Sequence, residues 1–155
     1  MRLYRIVKRK HAYDLSGIGA KINGGRWNHE GIACVYLAEN RALSLLEYTE
    51  HTGKNTLPPT LCFTTVEVPE HSIRTLSVRQ LPANWMQLPQ SRENRDLGSA
   101  LLTENNCLLI KLPSPLINQE FSFVLNPLHP LIHSVQITDV TSFPNRQSFD
   151  FAQDN

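Results

Sequence analysis

Residues 23–36, NGGRWNHEGIACVY, and residues 37–51, LAENRALSLLEYTEH, carry most of the structural information in this chain. The compact apolar run Ile32–Leu37 predicts a buried strand. Asn40 is a suitable N-cap for the helix that follows, Gly53 is suited to end it, and the apolar residues between them recur at helical spacing. The stretch therefore predicts a strand followed directly by an amphipathic helix, approached through a glycine-rich loop.

The same stretch brings together residue types that suit a nucleotide. Gly24 and Gly25 have no Cβ, so the backbone can approach a ligand closely. The planar guanidinium of Arg26 can bind a phosphate through two parallel hydrogen bonds, and the Glu47 carboxylate can oppose positive charge that develops on a sugar. These residues predict a nucleotide-cleaving site. Each also has a plainer interpretation, in which the glycines form a turn, Trp27 anchors the core and Glu47 is solvated.

The rest of the chain predicts several strands and one more helix. Strands are expected at Leu3–Val7, Thr60–Val68, Cys107–Leu112, Phe121–Leu125 and Ser134–Val140, and a helix at Glu93–Asn105. Residues 11–25 are expected to form a loop, and the polar tail after Pro144 is expected to be poorly ordered. The order of elements lacks regular βαβ alternation, which favours an α+β fold.

The composition is that of an ordinary globular protein. The 155 residues fit one domain, residues 1–155, with the informative motifs between about residues 3 and 143. No apolar run approaches the roughly 18 residues that a membrane span needs, and the N-terminus has no signal-peptide core, so a cytoplasmic location is expected. Cys34, Cys62 and Cys107 lie far apart in apolar runs, which predicts buried, reduced thiols.

Charge is unevenly distributed along the chain. The formal net charge is only +1, but residues 1–56 contain nine Lys and Arg against five Asp and Glu, whereas the remainder contains six against nine. A moderately basic N-terminal half suits a small anionic ligand better than a long nucleic acid, which usually requires a larger basic surplus. An ordinary solvated surface is the alternative interpretation.

Two familiar motifs are incomplete in this sequence. Gly17-Ile18-Gly19 begins like a dinucleotide-binding fingerprint, but Ile22 occupies the position of the third glycine, so a Rossmann site is not predicted. His129 and His133 have the spacing of a metal site on a helix, but Pro130 between them is incompatible with that helix. No metal site is therefore predicted.

Several fragments in a fixed order resemble one family. They are LYRI around Arg5, GGRWN around Arg26, VYLA around Tyr36, ALSLLEYTEH around Glu47 and PSPLINQEFSFVLNPLHP around Ser114. In this order they resemble the RES-domain toxins of bacterial toxin–antitoxin pairs, which are named for an arginine, a glutamate and a serine. Each fragment alone is weak, but the ordered set covers nearly the whole chain. Pro115 departs from the family pattern, in which alanine or valine is commoner after the serine.

The resemblance implies a fold, an activity and a partner. The implied fold is similar to that of ADP-ribosyltransferase toxins, with a split, twisted antiparallel β core and flanking helices. The implied enzyme takes NAD+ as substrate, without a separate cofactor, and cleaves the nicotinamide–ribose bond with water or phosphate as acceptor, which depletes NAD+ and arrests growth. The implied partner is a cognate Xre-type antitoxin with a DNA-binding helix-turn-helix domain, which blocks the active site. Direct nucleic-acid binding is then expected only through the antitoxin.

The resemblance also assigns roles to individual residues. The catalytic residues that it implies are Arg26, Glu47 and Ser114, and the substrate-binding residues are Tyr36, Arg5, Gly25, Trp27, Asn126 and His129. Cleavage passes through a transition state that resembles an oxocarbenium ion. Arg26 is accordingly assigned to the diphosphate, Tyr36 to the nicotinamide or ribose, and Glu47 to the developing positive charge. Ser114 is expected to contact ligand or to orient Glu47, with a turn-capping role as the alternative.

Other functions stay open from the sequence alone. The sequence does not define the acceptor, so transfer of ADP-ribose to a protein is the nearest alternative to hydrolysis or phosphorolysis. A nucleic-acid-binding module that uses Arg26, Trp27 and the basic segment 8–10 is a more distant third. The near-neutral net charge argues against that module.

Overall fold

The computed structural model describes residues 1–54 and 56–143, and in this part of the chain seven strands and three α-helices form an α+β fold. The strands are β1 Arg2–Lys8, β2 Val35–Ala38, β3 Leu61–Glu67, β4 Ile73–Thr75, β5 Leu109–Pro113, β6 Phe121–Leu125 and β7 Gln136–Ser142. The helices are α1 Ile18–Asn23, α2 Arg41–Thr52 and α3 Arg92–Glu104. Short 3-10 helices cover Arg9–His11, Val78–Gln80 and Pro130–Ser134.

All seven strands belong to one sheet, and that sheet opens at its centre. The spatial order is β4-β5-β6-β2-β1-β3-β7, and the pairs are antiparallel except for β4 with β5. β1 pairs with β3 along its whole length, from Arg2 opposite Glu67 to Lys8 opposite Leu61. It meets β2 at a single position, where Tyr4 lies opposite Ala38. The predicted α+β class with a twisted, mainly antiparallel core is confirmed, and the split lies between β1 and β2.

Each face of the sheet carries its own apolar core, because successive side chains of a strand point to opposite faces. On one face, Tyr36, Ile110 and Val124 pack with Trp27, Trp85 and the leucines of α3. On the other face, the buried side chains include Leu3, Leu37, Val66, Leu109, Phe123 and Leu125. The central strands are therefore fixed from both sides, which makes them a rigid support for side chains at the split.

The predicted ends of the central helix are confirmed. Asn40 accepts a hydrogen bond from the backbone N–H of Leu43 at 2.7 Å, and Gly53 closes α2 with a left-handed φ of +62°. Such caps satisfy backbone groups that the helix leaves without partners. α3 begins in the same way after Ser91, whose hydroxyl accepts from Asn94 N–H at 3.2 Å. Both helices are thus fixed at their N-termini by local side-chain bonds.

Several element predictions need correction. The predicted loop 11–25 is wrong, because it contains α1, a six-residue helix that is capped at its C-terminus by Gly24 with φ +67°. The strand predicted at Ile32–Leu37 begins only at Val35, and the one predicted at Ser134–Val140 begins at Gln136, after a 3-10 helix. β4 was not predicted. The tail after Pro144 lies outside the described residues.

Two further features are the state of the cysteines and the length of the helices. Cys34, Cys62 and Cys107 are buried and have free thiols. Within residues 1–54 and 56–143, no helix is both long and apolar enough to pass through a membrane.

Candidate active site

A cleft of about 310 Å³ lies where β1 and β2 diverge. Its walls are formed by these two strands, by α1 and the segment 23–27, and by one face of α2, while Gln90, Pro115 and Ser122 complete the lining. This volume is at the lower end of the range for small-molecule sites. A second depression runs along α3 beside His29 and Asp96, but it is open to solvent and none of the predicted site residues lines it. The cleft at the split is therefore the candidate site, because most of the predicted site residues line it.

Asn28 organises the glycine-rich loop from inside the protein. Its side chain is wholly buried, and its amide donates to the carbonyls of Ala20 at 2.8 Å and Ile32 at 2.9 Å. Its Oδ1 accepts from the Tyr36 hydroxyl at 2.6 Å. A buried amide whose hydrogen bonds are satisfied holds its surroundings in one arrangement. Asn28 therefore connects α1, the loop and β2, a role that the sequence analysis did not assign.

Tyr36 is used mainly to brace the loop against β2. Besides donating to Asn28, its hydroxyl accepts from the backbone N–H of Trp27 at 2.9 Å. Burial, reinforced by the neighbouring Cys34, raises the pKa of Tyr36 well above its ordinary value, so the phenol is neutral at physiological pH. The side chain of Tyr36 also lines the cleft. Its assignment to nicotinamide or ribose stays a prediction. Because the hydroxyl is already hydrogen-bonded to Trp27 and Asn28, the aromatic ring would have to make that contact.

Gly25 is required by close packing within the loop. A Cβ at this position would lie 2.6 Å from Oη of Tyr36 and 2.9 Å from Oδ1 of Asn28. Both atoms are held by hydrogen bonds and cannot move away cheaply. Gly25 therefore lets the loop pack against Tyr36, and it also lines the cleft, where its predicted approach to a ligand is untested.

Trp27 is a core residue as well as a lining residue. Only 3% of its surface is exposed, and it packs with Trp85 and the leucines of α3. Its backbone carbonyl contacts Gly98 of α3 so closely that a Cβ there would lie 1.9 Å from the carbonyl oxygen. The structure therefore supports the core-anchor interpretation of Trp27, and it shows that α3 positions the loop.

Arg26 lines the cleft with its guanidinium already engaged. Its Nη2 lies 3.3 Å from Oε1 of Glu50, and its Nη1 donates to the carbonyl of Trp85 at 3.2 Å. The Arg26 side chain is only 10% exposed, so the ion pair is poorly screened by solvent. Its predicted contact with a diphosphate stays a prediction, and Glu50 would compete with the ligand for the same guanidinium.

Arg5 holds the segment that follows β1. Its Nη2 donates to the carbonyls of His11, Ala12 and Asp14, at 3.3, 3.4 and 2.5 Å. Burial lowers the pKa of its guanidinium, and the nearby Asp14 carboxylate counteracts this. Arg5 lines the cleft, and among the described residues its buried Nε has no hydrogen-bond partner. The predicted contact of Arg5 with substrate stays a prediction, because its Nη2 is bound to backbone carbonyls of the segment after β1.

Glu47 lies on the face of α2 that lines the cleft, where it accepts a hydrogen bond from the Ser122 hydroxyl. The pKa of Glu47 is raised to about 7, chiefly by burial and to a smaller extent by the neighbouring Glu50 carboxylate. The Ser122 hydrogen bond and the Arg26 guanidinium oppose this rise. The structure therefore argues against the solvated-surface interpretation of Glu47, since its side chain is largely buried and lines the cleft.

The raised pKa of Glu47 makes the free energy of unfolding depend on pH. In the unfolded chain this carboxyl ionises near pH 4.5, whereas in the folded protein it keeps its proton up to about pH 7. Between these values the folded state binds more protons, so stabilisation present at pH 4.5 is lost as the pH rises to about 7. Glu47→Gln cannot ionise, and we expect it to melt above wild type near pH 8 but close to it near pH 4. Equal melting temperatures near pH 8 would contradict this.

Ser114, Asn126 and His129 are not among the residues that line the cleft. The Ser114 hydroxyl accepts from the backbone N–H groups of Leu116 at 3.1 Å and Ile117 at 3.3 Å, which caps the turn after β5. The structure thus supports the turn-capping alternative for Ser114, and it is Ser122 that contacts Glu47.

The other two residues have local structural partners. The buried Asn126 amide donates to the carbonyl of Leu102 at 3.0 Å and to Asn105 Oδ1 at 2.8 Å, which ties the end of β6 to the end of α3. Nδ1 of His129 accepts from the N–H of Leu131 at 3.1 Å and caps the 3-10 helix. The structure therefore gives both residues a role in holding elements together. Within the described residues, no cluster of His, Cys, Asp and Glu is arranged to hold a metal ion.

Comparison with known proteins gives consistent matches. The RES domain profile matches residues 2–150. The Prs ADP-ribosylating toxin of Sphingobium sp. (strain YBL2) is 38% identical over 122 residues, which cover 77% of this chain and 76% of that protein. Toxin Res of Yersinia enterocolitica serotype O:8 is 35% identical over 83% of this chain and 86% of its own.

One solved structure has the same fold. It is the M. tuberculosis MbcT–MbcA toxin–antitoxin complex, whose matching chain superposes with a TM-score of 0.74 over 92% of this chain and 83% of its own length. The sequence identity of the two chains is 17%, so this likeness concerns the fold.

Proposed function

This chain belongs to the RES domain family, and from that premise we propose that it is the toxin of a toxin–antitoxin pair and cleaves the nicotinamide–ribose bond of NAD+. The reaction consumes NAD+ as substrate, needs no further cofactor, and arrests growth by depleting the cytoplasmic NAD+ pool. The observation that carries the proposal is a largely buried carboxylate, Glu47, in a cleft that is also lined by two arginines.

The position of Glu47 suits the chemistry of this bond. Nicotinamide leaves as a neutral molecule from a cationic ring, and positive charge then grows on the ribose in an oxocarbenium-like transition state. Burial removes most of the water that would stabilise the charge of this carboxylate. A cation that forms beside it is therefore stabilised more strongly than it would be in water. Because its position is fixed before the reaction starts, little reorganisation is needed when the charge appears. Glu47 is the residue that we assign to this task.

The arginines suit the other end of the substrate. Arg5 and Arg26 both line the cleft, and a guanidinium pairs well with diphosphate oxygens. Glu50 holds Arg26 in the unliganded protein at 3.3 Å, so binding of the diphosphate would replace one anion with another. Binding energy at the diphosphate would in this way orient the ribose against Glu47.

Incubation of the purified protein with NAD+, with and without phosphate, tests the proposed cleavage. We expect free nicotinamide together with ADP-ribose if water is the acceptor, or ADP-ribose-1″-phosphate if phosphate is, with products identified by mass. Induction of the protein in bacteria should lower total NAD+ before membrane integrity is lost. Growth arrest with unchanged NAD+ would contradict NAD+ depletion as the cause.

Transfer of ADP-ribose to a protein is the second candidate function. It is favoured by one observation, namely that a relative 38% identical to this chain carries the name Prs ADP-ribosylating toxin. The same carboxylate and arginines would serve that reaction, since only the acceptor at the anomeric carbon differs. NAD+ labelled in its ADP-ribose part distinguishes the two reactions. Transfer leaves the label on a protein, whereas cleavage leaves it on a small molecule.

The proposed partner is a cognate Xre-type antitoxin with a helix-turn-helix domain. The toxin–antitoxin complex that shares this fold, and the relatives named Toxin Res, support a partner of this kind. Co-expression with the product of a neighbouring gene is expected to give a stable complex that does not cleave NAD+. A stable complex with full activity would mean that the partner does not act by covering the cleft.

A further inference from the structure

Ser122 connects the rigid centre of the sheet with the carboxylate of Glu47. It lies on β6, opposite Ala38 of β2 on one side and Leu112 of β5 on the other, so its backbone is paired on both sides. Its side chain is buried, lines the cleft and donates its hydroxyl to Oε1 of Glu47. Glu47 lies on α2, a separate element, so this hydrogen bond ties the helix to the sheet across the site.

We propose that Ser122 is a positioning residue that holds the Glu47 carboxylate in the orientation from which it faces the ribose. This inference rests on the proposed function, in which Glu47 stabilises the cation. A glutamate side chain has several rotatable bonds, and a catalytic group gains most when its orientation is fixed before the reaction. A donor on a strand packed from both sides supplies that orientation better than one on a loop.

The other charged groups near Glu47 cannot replace this contact. Arg26, from the glycine-rich loop, acts on Glu47 through its charge, but its guanidinium is bound to Glu50 and to the Trp85 carbonyl. Glu50, on α2 itself, repels the Glu47 carboxylate. Among the described residues, Ser122 is the hydrogen-bond donor to this carboxylate, and the bond engages Oε1.

Removal of the hydroxyl should have two separable effects. A hydrogen bond to the charged form of an acid favours that form, so its loss moves the titration of Glu47 to higher pH. Its loss also frees the carboxylate to rotate. The first effect reduces turnover only where Glu47 is incompletely ionised, whereas the second persists at high pH. A role in packing alone would produce neither a shifted titration nor a changed pH profile.

The test uses the full chain and two measurements on Ser122→Ala and Ser122→Thr. The first measurement follows the chemical shift of the Glu47 carboxyl carbon by NMR as a function of pH, without NAD+. Glu47→Gln identifies the resonance. The midpoint of this titration reports the contact with Ser122 and does not depend on activity. The pH dependence of kcat and KM for NAD+ reports its effect on the reaction. We expect Ser122→Ala to move the titration upward and to lower kcat roughly ten- to hundredfold near pH 7, the effect of losing a hydrogen bond to a charged group. KM should change much less.

Two comparisons control for structural damage. Ser122→Thr keeps a hydroxyl on a strand that tolerates β-branched residues, and it should retain both the titration and most of the turnover. Thr49→Val removes a hydroxyl two residues from Glu47 on α2, where it donates to the Leu46 carbonyl at 2.9 Å. It should leave both measurements unchanged. Should Ser122→Ala fail to fold, Ser122→Cys, which is only slightly larger than serine and is a weak donor, is measured in its place.

The outcomes separate this inference from the proposed function. An unshifted titration in folded Ser122→Ala overturns the positioning role, whether or not turnover falls. A shifted titration with unchanged kcat in an active protein also overturns it, since the contact would then have no bearing on the reaction. If Ser122→Ala shifts the Glu47 titration but the wild-type protein does not consume NAD+, the contact is upheld and the proposed NAD+ cleavage is refuted instead.

Discussion

Glutamine in place of Glu47 is expected to lower NAD+ turnover by roughly two to three orders of magnitude, the size of effect seen when one preorganised electrostatic group is lost. Glutamine keeps the shape of the side chain and can still bond with Ser122, so the geometry of the cleft is retained. What it loses is the negative charge opposite the ribose. Since that charge matters chiefly when the cation develops, kcat should fall far more than the affinity for NAD+.

The pH dependence of kcat/KM tests this prediction most directly. With a pKa of about 7, Glu47 in the unliganded wild type is protonated below neutral pH, so kcat/KM should rise as the pH increases through about 7. Glu47→Gln should show no such rise. Glu104→Gln, which alters a partly exposed glutamate paired with Arg74 at the end of α3, controls for the change of an acid to an amide. Normal turnover in folded Glu47→Gln would show that the buried carboxylate does not take part in catalysis.

Capping residues and short apolar segments of the sequence were sufficient to predict those helix ends and strands that neighbouring residues determine. Asn40 and Gly53 cap α2 as expected, and β6 has the predicted bounds, because its mainly apolar residues are paired with a strand on each side. α1 was missed because Gly17, Gly19 and Gly24 make its sequence read as a turn. β4 has three residues, two of them exposed, and is held by its pairing with β5, which no short-range pattern reports.

The candidate site was predicted in part, and its omissions have a physical reason. Glu47 and Arg26 lie in segments whose residue types suggest chemistry by themselves, and both line the cleft. Ser114 and Ser122 cannot be ranked by sequence, because one directly follows an apolar strand and the other lies at the start of one. Ser114 faces its own turn, whereas β6 carries Ser122 to the split between the strands. Asn28 gave no signal either, since its role depends on burial among partners brought in from α1 and β2.

Alanine in place of Gly98 is expected to destabilise the protein although alanine is the better helix former. In an open helix this change would stabilise by about 1 kcal/mol. Here the new Cβ would lie 1.9 Å from the carbonyl oxygen of Trp27 and 2.7 Å from its carbonyl carbon, which are backbone atoms with no rotamer to change. α3 or the glycine-rich loop must therefore move, and overpacking of this kind costs about 1–3 kcal/mol or more.

The expected net result is a loss of about 1–2 kcal/mol, which corresponds to a fall of roughly 2–8 °C in melting temperature for a domain of this size. Gly19→Ala is the matched control for stability, because Gly19 is also helical and a Cβ there would meet nothing within 4 Å. It should melt at or above the wild-type temperature. If Gly98→Ala did so too, α3 would not be packed on the Trp27 backbone. If Gly98→Ala melts lower, NAD+ turnover measured well below its melting temperature should fall as well, because the Trp27 backbone that α3 supports donates the hydrogen bond that holds Tyr36 at the cleft.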